Sequence, residues 1–290
     1  MSQAAALRLG AEALAGPLPA LLAEAEHLAA TVQLGEHGRR RAGQGDEFWQ
    51  YRAHVPGDET RAIDWRRSAR SDGYFVREKE WQAAQSILLW VDRGQSMTFS
   101  SKPGLPQKGQ RARLLALALA VLLNRGGERV GLTGLEAPPR SGPLQLLRIA
   151  QALLGDETEE YARPRLQGLV THGRAAFFSD FLGDISETET ALFSAADRGI
   201  RGALVQVLDP EEEAFPFDGR TIFESMGGGV SHETLKAREL RDRYLDRLAE
   251  RKDALQALAR KAGWQFQCHH TDRSGSSAML WLYGALERSR

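Results

Sequence analysis

The hydrophobic pattern along the 290-residue chain changes character twice. Over residues 1–32, leucine and alanine recur at helical spacing, but Gly16, Pro17 and Pro19 interrupt them. A proline inside a helix removes a donor and clashes with the preceding turn, so two short helices are expected rather than one. Over 33–82 the helical period disappears. Arg, Asp, Gly and aromatic residues intermix, and 47–55 and 73–81 read as short strands around the turn Pro56-Gly57-Asp58. From residue 83 onward, brief apolar runs alternate with amphipathic stretches. The runs at 86–91, 130–134, 175–179, 203–208 and 264–269 suit strands buried on both faces. Helices are expected between and after them, at 111–124, at 144–154 behind Pro143, and at 186–197 with a Ser186/Glu189 capping box. Two more are expected at 231–262, capped by Ser231, and at 276–287. Leu240, Tyr244, Leu248, Leu255 and Ala259 form one stripe of the 231–262 helix, which could face the sheet or another chain. Strands separated by such helices imply a doubly wound, mostly parallel α/β domain over 83–290. A helical region (1–32) and a small β region (33–82) precede it.

Composition narrows the function classes. Thirty-eight basic side chains balance 38 acidic ones, whereas a dedicated nucleic-acid binder usually carries a basic excess. The longest apolar run, 114–123, is half the roughly 20 residues a membrane-spanning helix needs. The N-terminal stretch carries Arg8, Glu12, Glu24 and Glu26 and lacks the form of a secretory signal. Cys268 is the single cysteine, which excludes an internal disulfide and fits a reducing compartment. A cytoplasmic protein without membrane insertion is expected.

Three of the expected strands end in an aspartate, Asp92, Asp180 and Asp209, with Asp184 just beyond the second. Ligands of open parallel sheets bind outside the carboxyl ends of the strands, and oxygen donors gathered there suit a hard cation such as magnesium. The same residues also serve as turn formers and helix caps, so spacing alone leaves both readings open. Over 38–81, nine arginines interleave with Asp46, Glu47, Asp58, Glu59, Asp64, Asp72 and Glu78. Bidentate Arg–carboxylate pairing would knit this irregular layer together, with Arg39, Arg40 and Arg41 the candidates for an exposed, partner-binding surface. Trp49, Trp65 and Trp81 are expected in the core. His269 and His270 point to opposite faces of a strand and cannot easily share a metal; Asp272 could orient His270. No Gly-x-Ser-x-Gly elbow is present, and Gly227-Gly228-Gly229 lacks the Lys-Ser/Thr ending of a phosphate-binding loop.

Two resemblances add to this reading. Asp92-Arg93-Gly94-Gln95-Ser96 resembles the metal-ion-dependent adhesion site of von Willebrand factor type A domains, whose pattern is Asp-x-Ser-x-Ser. Asp92, Ser96 and Asp180 match by order and context, with Ser141 the best candidate for the family's threonine. Gly94 departs by supplying no oxygen, so the resemblance implies a degenerate site, with Mg2+ as its cofactor if it has one. The second resemblance spans nearly the whole chain from about residue 36. Gly38-Arg39-Arg40-Arg41, Glu47-Phe48, Tyr51-Arg52, Pro56-Gly57-Asp58, Ile63-Asp64-Trp65, Val76-Arg77-Glu78, Leu208-Asp209-Pro210-Glu211, Phe215-Pro216-Phe217 and His270-Thr271-Asp272 resemble the signature of the bacterial domain-of-unknown-function 58 family. That resemblance implies a von Willebrand A-like domain and a partner among MoxR-type AAA+ ATPases. The expected function is therefore non-enzymatic protein binding through the edge formed by Asp92, Ser96, Ser141 and Asp180. The alternative is a metal-dependent hydrolase using Asp92, Asp180, Asp184 and Asp209; nucleic-acid binding through Arg39–Arg41 is the weakest reading.

Overall fold

In chain order the elements are α1 (Pro17–Ala30), β1 (Ala42–Ala53), α2 (Trp65–Ser68), β2 (Phe75–Glu80), β3 (Ser86–Val91), α3 (Lys108–Arg125), β4 (Arg129–Leu132), α4 (Pro143–Leu153) and β5 (Arg174–Ser179). They continue with α5 (Ile185–Asp197), β6 (Arg201–Leu208), α6 (Pro210–Ala214), β7 (Thr221–Glu224), β8 (Ser231–Thr234), α7 (Ala237–Lys261), β9 (Gln265–His270) and α8 (Gly275–Arg288). The computed structural model describes residues 17–32, 42–55, 58–70, 73–80, 84–155, 159–229 and 231–288. Contacts divide the chain into two units, 34–84 and 1–33 with 85–290. α1 thus belongs with the α/β unit and does not stand apart.

In the smaller unit β1 and β2 pair antiparallel, Tyr51 opposite Arg77 and Ala53 opposite Phe75. The expected ion pairing takes the form of local clamps. Arg52 donates from both Nη atoms to Asp58, at 2.7 and 2.6 Å, while Asp58 also accepts from the Val55 amide. Asp64 caps α2 by accepting from Arg67 N–H and also accepts from Tyr51 Oη–H. The Arg67 guanidinium lies over the Tyr51 and Phe75 rings at 4.9 and 5.5 Å, within cation–π range. Trp65 corrects the expectation of a core residue: it is 59% exposed and meets Tyr74 edge-on. Its place at the first position of a four-residue helix turns it outward. Arg39–Arg41 and Trp81 lie outside the described residues, as does the Trp49 side chain.

The larger unit is built on one five-stranded sheet, order β4-β3-β5-β6-β9, parallel throughout. Helices cover both faces, as the doubly wound reading requires. Alternate side chains go to opposite layers. Ile87, Leu89, Val91, Ala176, Phe178, Val205 and Val207 pack against α1, α3, α4 and α8. Trp90, Ala175, Phe177 and Leu204 pack against α5 and α7. α3 is apolar on nearly every side because the sheet, α1, α4 and α8 surround it; residues 115–122 are all buried. No helix among the described residues is long and apolar enough to cross a membrane.

Two expected helix starts are corrected. Asp184, not Ser186, caps α5, and its carboxylate accepts from the Ser186 amide. Residues 231–234 do not begin a helix capped by Ser231: they pair with β7 as an antiparallel hairpin, Phe223 opposite His232. α7 then begins at Ala237. Leu248, Leu255 and Ala259 of its stripe are buried on the sheet side, whereas Leu240 and Tyr244 reach beyond the sheet.

Gly202 is where β5 and β6 approach most tightly. It faces Ala175 in register, and a Cβ there would sit 1.8 Å from the Ala175 carbonyl oxygen. Backbone in the middle of a sheet cannot yield cheaply, so Gly202→Ala is expected to destabilise by about 3 kcal/mol or more. Urea denaturation read by circular dichroism measures this.

Candidate functional site

The carboxyl ends of β3, β5 and β6 bring Asp92, Asp180 and Asp209 to one edge of the sheet, each at most 1% exposed. Buried carboxylates need partners, and each finds different ones. Asp92 accepts from Ser179 Oγ–H at 2.6 Å and from the amides of Gly94 and Ala162 at 2.8 and 3.3 Å. Asp180 accepts from the Leu182 amide and, at 2.9 Å, from the Lys108 ammonium. Asp209 caps α6, accepting from the Glu211 amide, and its other oxygen accepts from the Ser101 amide.

Lys108 is the residue that organises this edge. It opens α3 yet is 1% exposed, and its ammonium also donates to Glu212 at 2.7 Å. Burial alone would lower the pKa of such an amine, but the charges of Asp180 and Glu212 outweigh it and push the pKa up. Glu212 is raised by burial in spite of the lysine, since one ammonium serves two carboxylates. The Lys108 ammonium also lies 5.7 Å from the centre of the Phe99 ring. The acidic first turn of α6 extends the pattern. Glu211 pairs with Lys102, Glu212 with Lys108, and Glu213 with Lys252 and His270. Glu213 lies against His270, whose pKa burial lowers, and the charge of Asp272 acts on the same ring.

Among the described residues Asp92 makes no ion pair. Burial, and then the charge of Asp180, raise its pKa from 3.8 to about 6. It borders a cavity of about 220 Å3 together with Ser179, Tyr161 and Arg163. Across the mouth of this loop runs the segment 159–162. Glu159 and Glu160 carbonyls accept from the amides of Gln95 and Ser96, both at 2.9 Å. The same segment closes off Gly94: a Cβ there would lie 2.7 Å from the Glu160 carbonyl oxygen and 2.9 Å from the Ala162 nitrogen. Only glycine fits where the adhesion-site pattern has its first serine.

The four residues expected to hold a cation do not come together. Asp92, Ser96 and Asp180 share the carboxyl edge. Ser141 does not: its neighbour Arg140 bridges to Val130 near the start of β4, and the Gly142 amide donates to Asn124 at the end of α3. These contacts put Ser141, which is exposed, at the opposite edge of the sheet. The donor set is a poor fit for magnesium. Both oxygens of Asp92 and of Asp180 accept hydrogen bonds, and one of those donors is an ammonium that already supplies positive charge. Of the matched residues only Ser96, whose Oγ is buried without a hydrogen-bond partner, has an uncommitted donor. No group of three or more His, Cys, Asp or Glu among the described residues could hold a metal. Asp184 is exposed, its pKa lowered by the Ser186 amide it accepts from, and takes no part. Cys268 is half-buried and its thiol is raised by burial, as suits a structural residue. Burial also depresses His269 to about 4, so it is neutral near pH 7.

A profile described as "Protein of unknown function DUF58" matches residues 50–254. The chain belongs to this family. Among similar proteins, the uncharacterised proteins Rv1480 of Mycobacterium tuberculosis H37Rv and Mb1516 of Mycobacterium bovis are 26% identical to it over 258 residues, covering 82% of this chain and 79% of theirs. Among solved structures, a conserved hypothetical protein BatB from Bacteroides thetaiotaomicron is 13% identical with a TM-score of 0.39. An aerotolerance-related membrane protein from Bacteroides fragilis is 15% identical with a TM-score of 0.41; each match covers 71% of this chain and all of the other.

Two outcomes follow from the buried charges. Lys108→Ala leaves Asp180 and Glu212 uncompensated and should destabilise by about 3–5 kcal/mol, read by urea denaturation at pH 7. The Asp92 carboxyl, with its folded pKa above its unfolded one, stabilises the fold in its protonated form below about pH 4. That contribution, on the order of 2–3 kcal/mol, is lost as pH rises through 6. Asp92→Asn retains an oxygen for the Gly94 and Ala162 amides. Its stability relative to wild type should therefore grow between pH 4 and 7, and a flat difference across that range would contradict the assignment.

Proposed function

We propose that the chain is a non-enzymatic protein-interaction module. Its contact surface is the carboxyl edge of the parallel sheet, and it needs no divalent cation. The observation that carries this reading is the buried Lys108 ammonium held by Asp180 and Glu212. A fixed internal cation balances carboxylates that a metal-dependent adhesion site would leave for its ion. The aspartates that a metal-dependent hydrolase would gather are committed elsewhere, Asp184 and Asp209 to helix caps and Asp92 to Ser179 and two amides. These commitments favour a structural role for the aspartates over a gathered metal-ligand set. The partner class is a MoxR-type AAA+ ATPase, on the strength of the family resemblance.

Calorimetric titration with MgCl2 and MnCl2 tests the metal-free part: no saturable heat is expected up to millimolar concentration. Biosensor binding to the MoxR-type ATPase encoded in the same genome tests the partner. Binding is expected to be unchanged by EDTA and weakened about tenfold or more by Arg163→Glu, which reverses an exposed charge at the rim. Saturable metal binding abolished in Asp92→Ala, or turnover of a phosphate ester, would overturn this reading.

A further inference from the structure

A second cavity, of about 560 Å3, lies in the larger unit beside α6, the β7–β8 hairpin and the first half of α7. That volume is in the range of sites that enclose a small organic molecule. Its wall is a cluster of rings: Phe215 packs against Phe217, Phe223 and Tyr244 with centroids 5.2, 5.7 and 4.9 Å away. Phe99 and Leu240 complete the apolar surface. Phe215 is held in the left-handed region, φ 43 and ψ 66, which a bulky side chain rarely adopts. It is 5% exposed, so packing of the ring cluster sustains a conformation the residue would not choose alone.

The charges around the cavity decide what it takes. An aromatic wall with Glu211 and Glu212 beside it suggests at first a cage for a cation. Both carboxylates are already committed, however, to Lys102 and Lys108. The charges left over are positive. Arg243 and Arg247 stand four residues apart on α7, one turn of the same helix face, and both line the cavity. Among the described residues neither makes an ion pair or hydrogen bond, while His232 of the hairpin stands near them on the same lining. An apolar body between rings and an unpaired pair of guanidiniums complement an amphipathic anion.

We propose that this cavity binds a small organic acid, its aromatic or aliphatic body against the ring cluster and its carboxylate against Arg243 and Arg247. The cavity adjoins the carboxyl edge through Glu212 and Phe99, but the ligand proposal stands whether or not the protein-contact reading does. It also accounts for the front half of the α7 stripe, where Leu240 and Tyr244 face the cavity instead of the sheet.

The test is calorimetric titration of the full chain with 2-naphthoate, decanoate and the uncharged 2-naphthamide. One or both acids are expected to bind one per chain. The double variant Arg243→Gln/Arg247→Gln should weaken acid binding about tenfold or more without altering the affinity for the amide. Both arginines are exposed and unpaired, so the variant's thermal midpoint should match wild type. Leu240→Trp, which fills the cavity, should abolish binding of every probe. The proposal is overturned if neither acid binds, if the double variant binds them as tightly as wild type, or if binding survives Leu240→Trp.

Discussion

A single buried ammonium holds the carboxyl edge of this sheet together. Lys108 must lose nearly all its water to reach Asp180 and Glu212, and that loss is repaid only because two carboxylates meet it at hydrogen-bond distance. Each of the three residues comes from a different element: the first turn of α3, the end of β5 and the first turn of α6. The pairing therefore fixes where two helices begin relative to the end of β5. Asp209 reinforces the arrangement by capping α6 while accepting from the Ser101 amide in the loop before α3.

Once that cation is fixed, the rest of the edge follows. Asp180 is balanced, Asp92 is not, and the difference appears as a carboxyl whose pKa is raised to about 6. The segment 159–162 hydrogen-bonds along the loop after β3 and leaves no room for a side chain at Gly94. The Lys108 ammonium supplies positive charge to this edge from within the chain itself.

Much of the fold was legible in the sequence because its signals are local. The 86–91 and 175–179 runs are apolar throughout since both faces of the sheet are covered, and the strands begin and end within a residue of those limits. The β7–β8 hairpin was not legible: each strand is four residues long, too short for alternation to stand out, and Ser231 looks like a helix cap. At the site, Asp92, Asp180 and Asp209 declared themselves by following strands. Lys108 did not, because its partners lie 72 and 104 residues away and leave no spacing to detect. Nor did local pattern place it at a helix start: the helix expected at 111–124 begins at Lys108 in the structure. Ser141 misled for the opposite reason, since its nearness to the start of α4 said nothing about which edge of the sheet it occupied.

The claim that an internal cation occupies this edge is tested most directly by following the Lys108 side chain itself, through the 13Cε and 15Nζ resonances of the isotopically labelled protein as pH is raised. The account predicts that Lys108 stays protonated well above the ordinary lysine value of 10.5, and that millimolar magnesium leaves its signals in place. Titration at or below 10.5, or a saturable shift on adding magnesium, would contradict it.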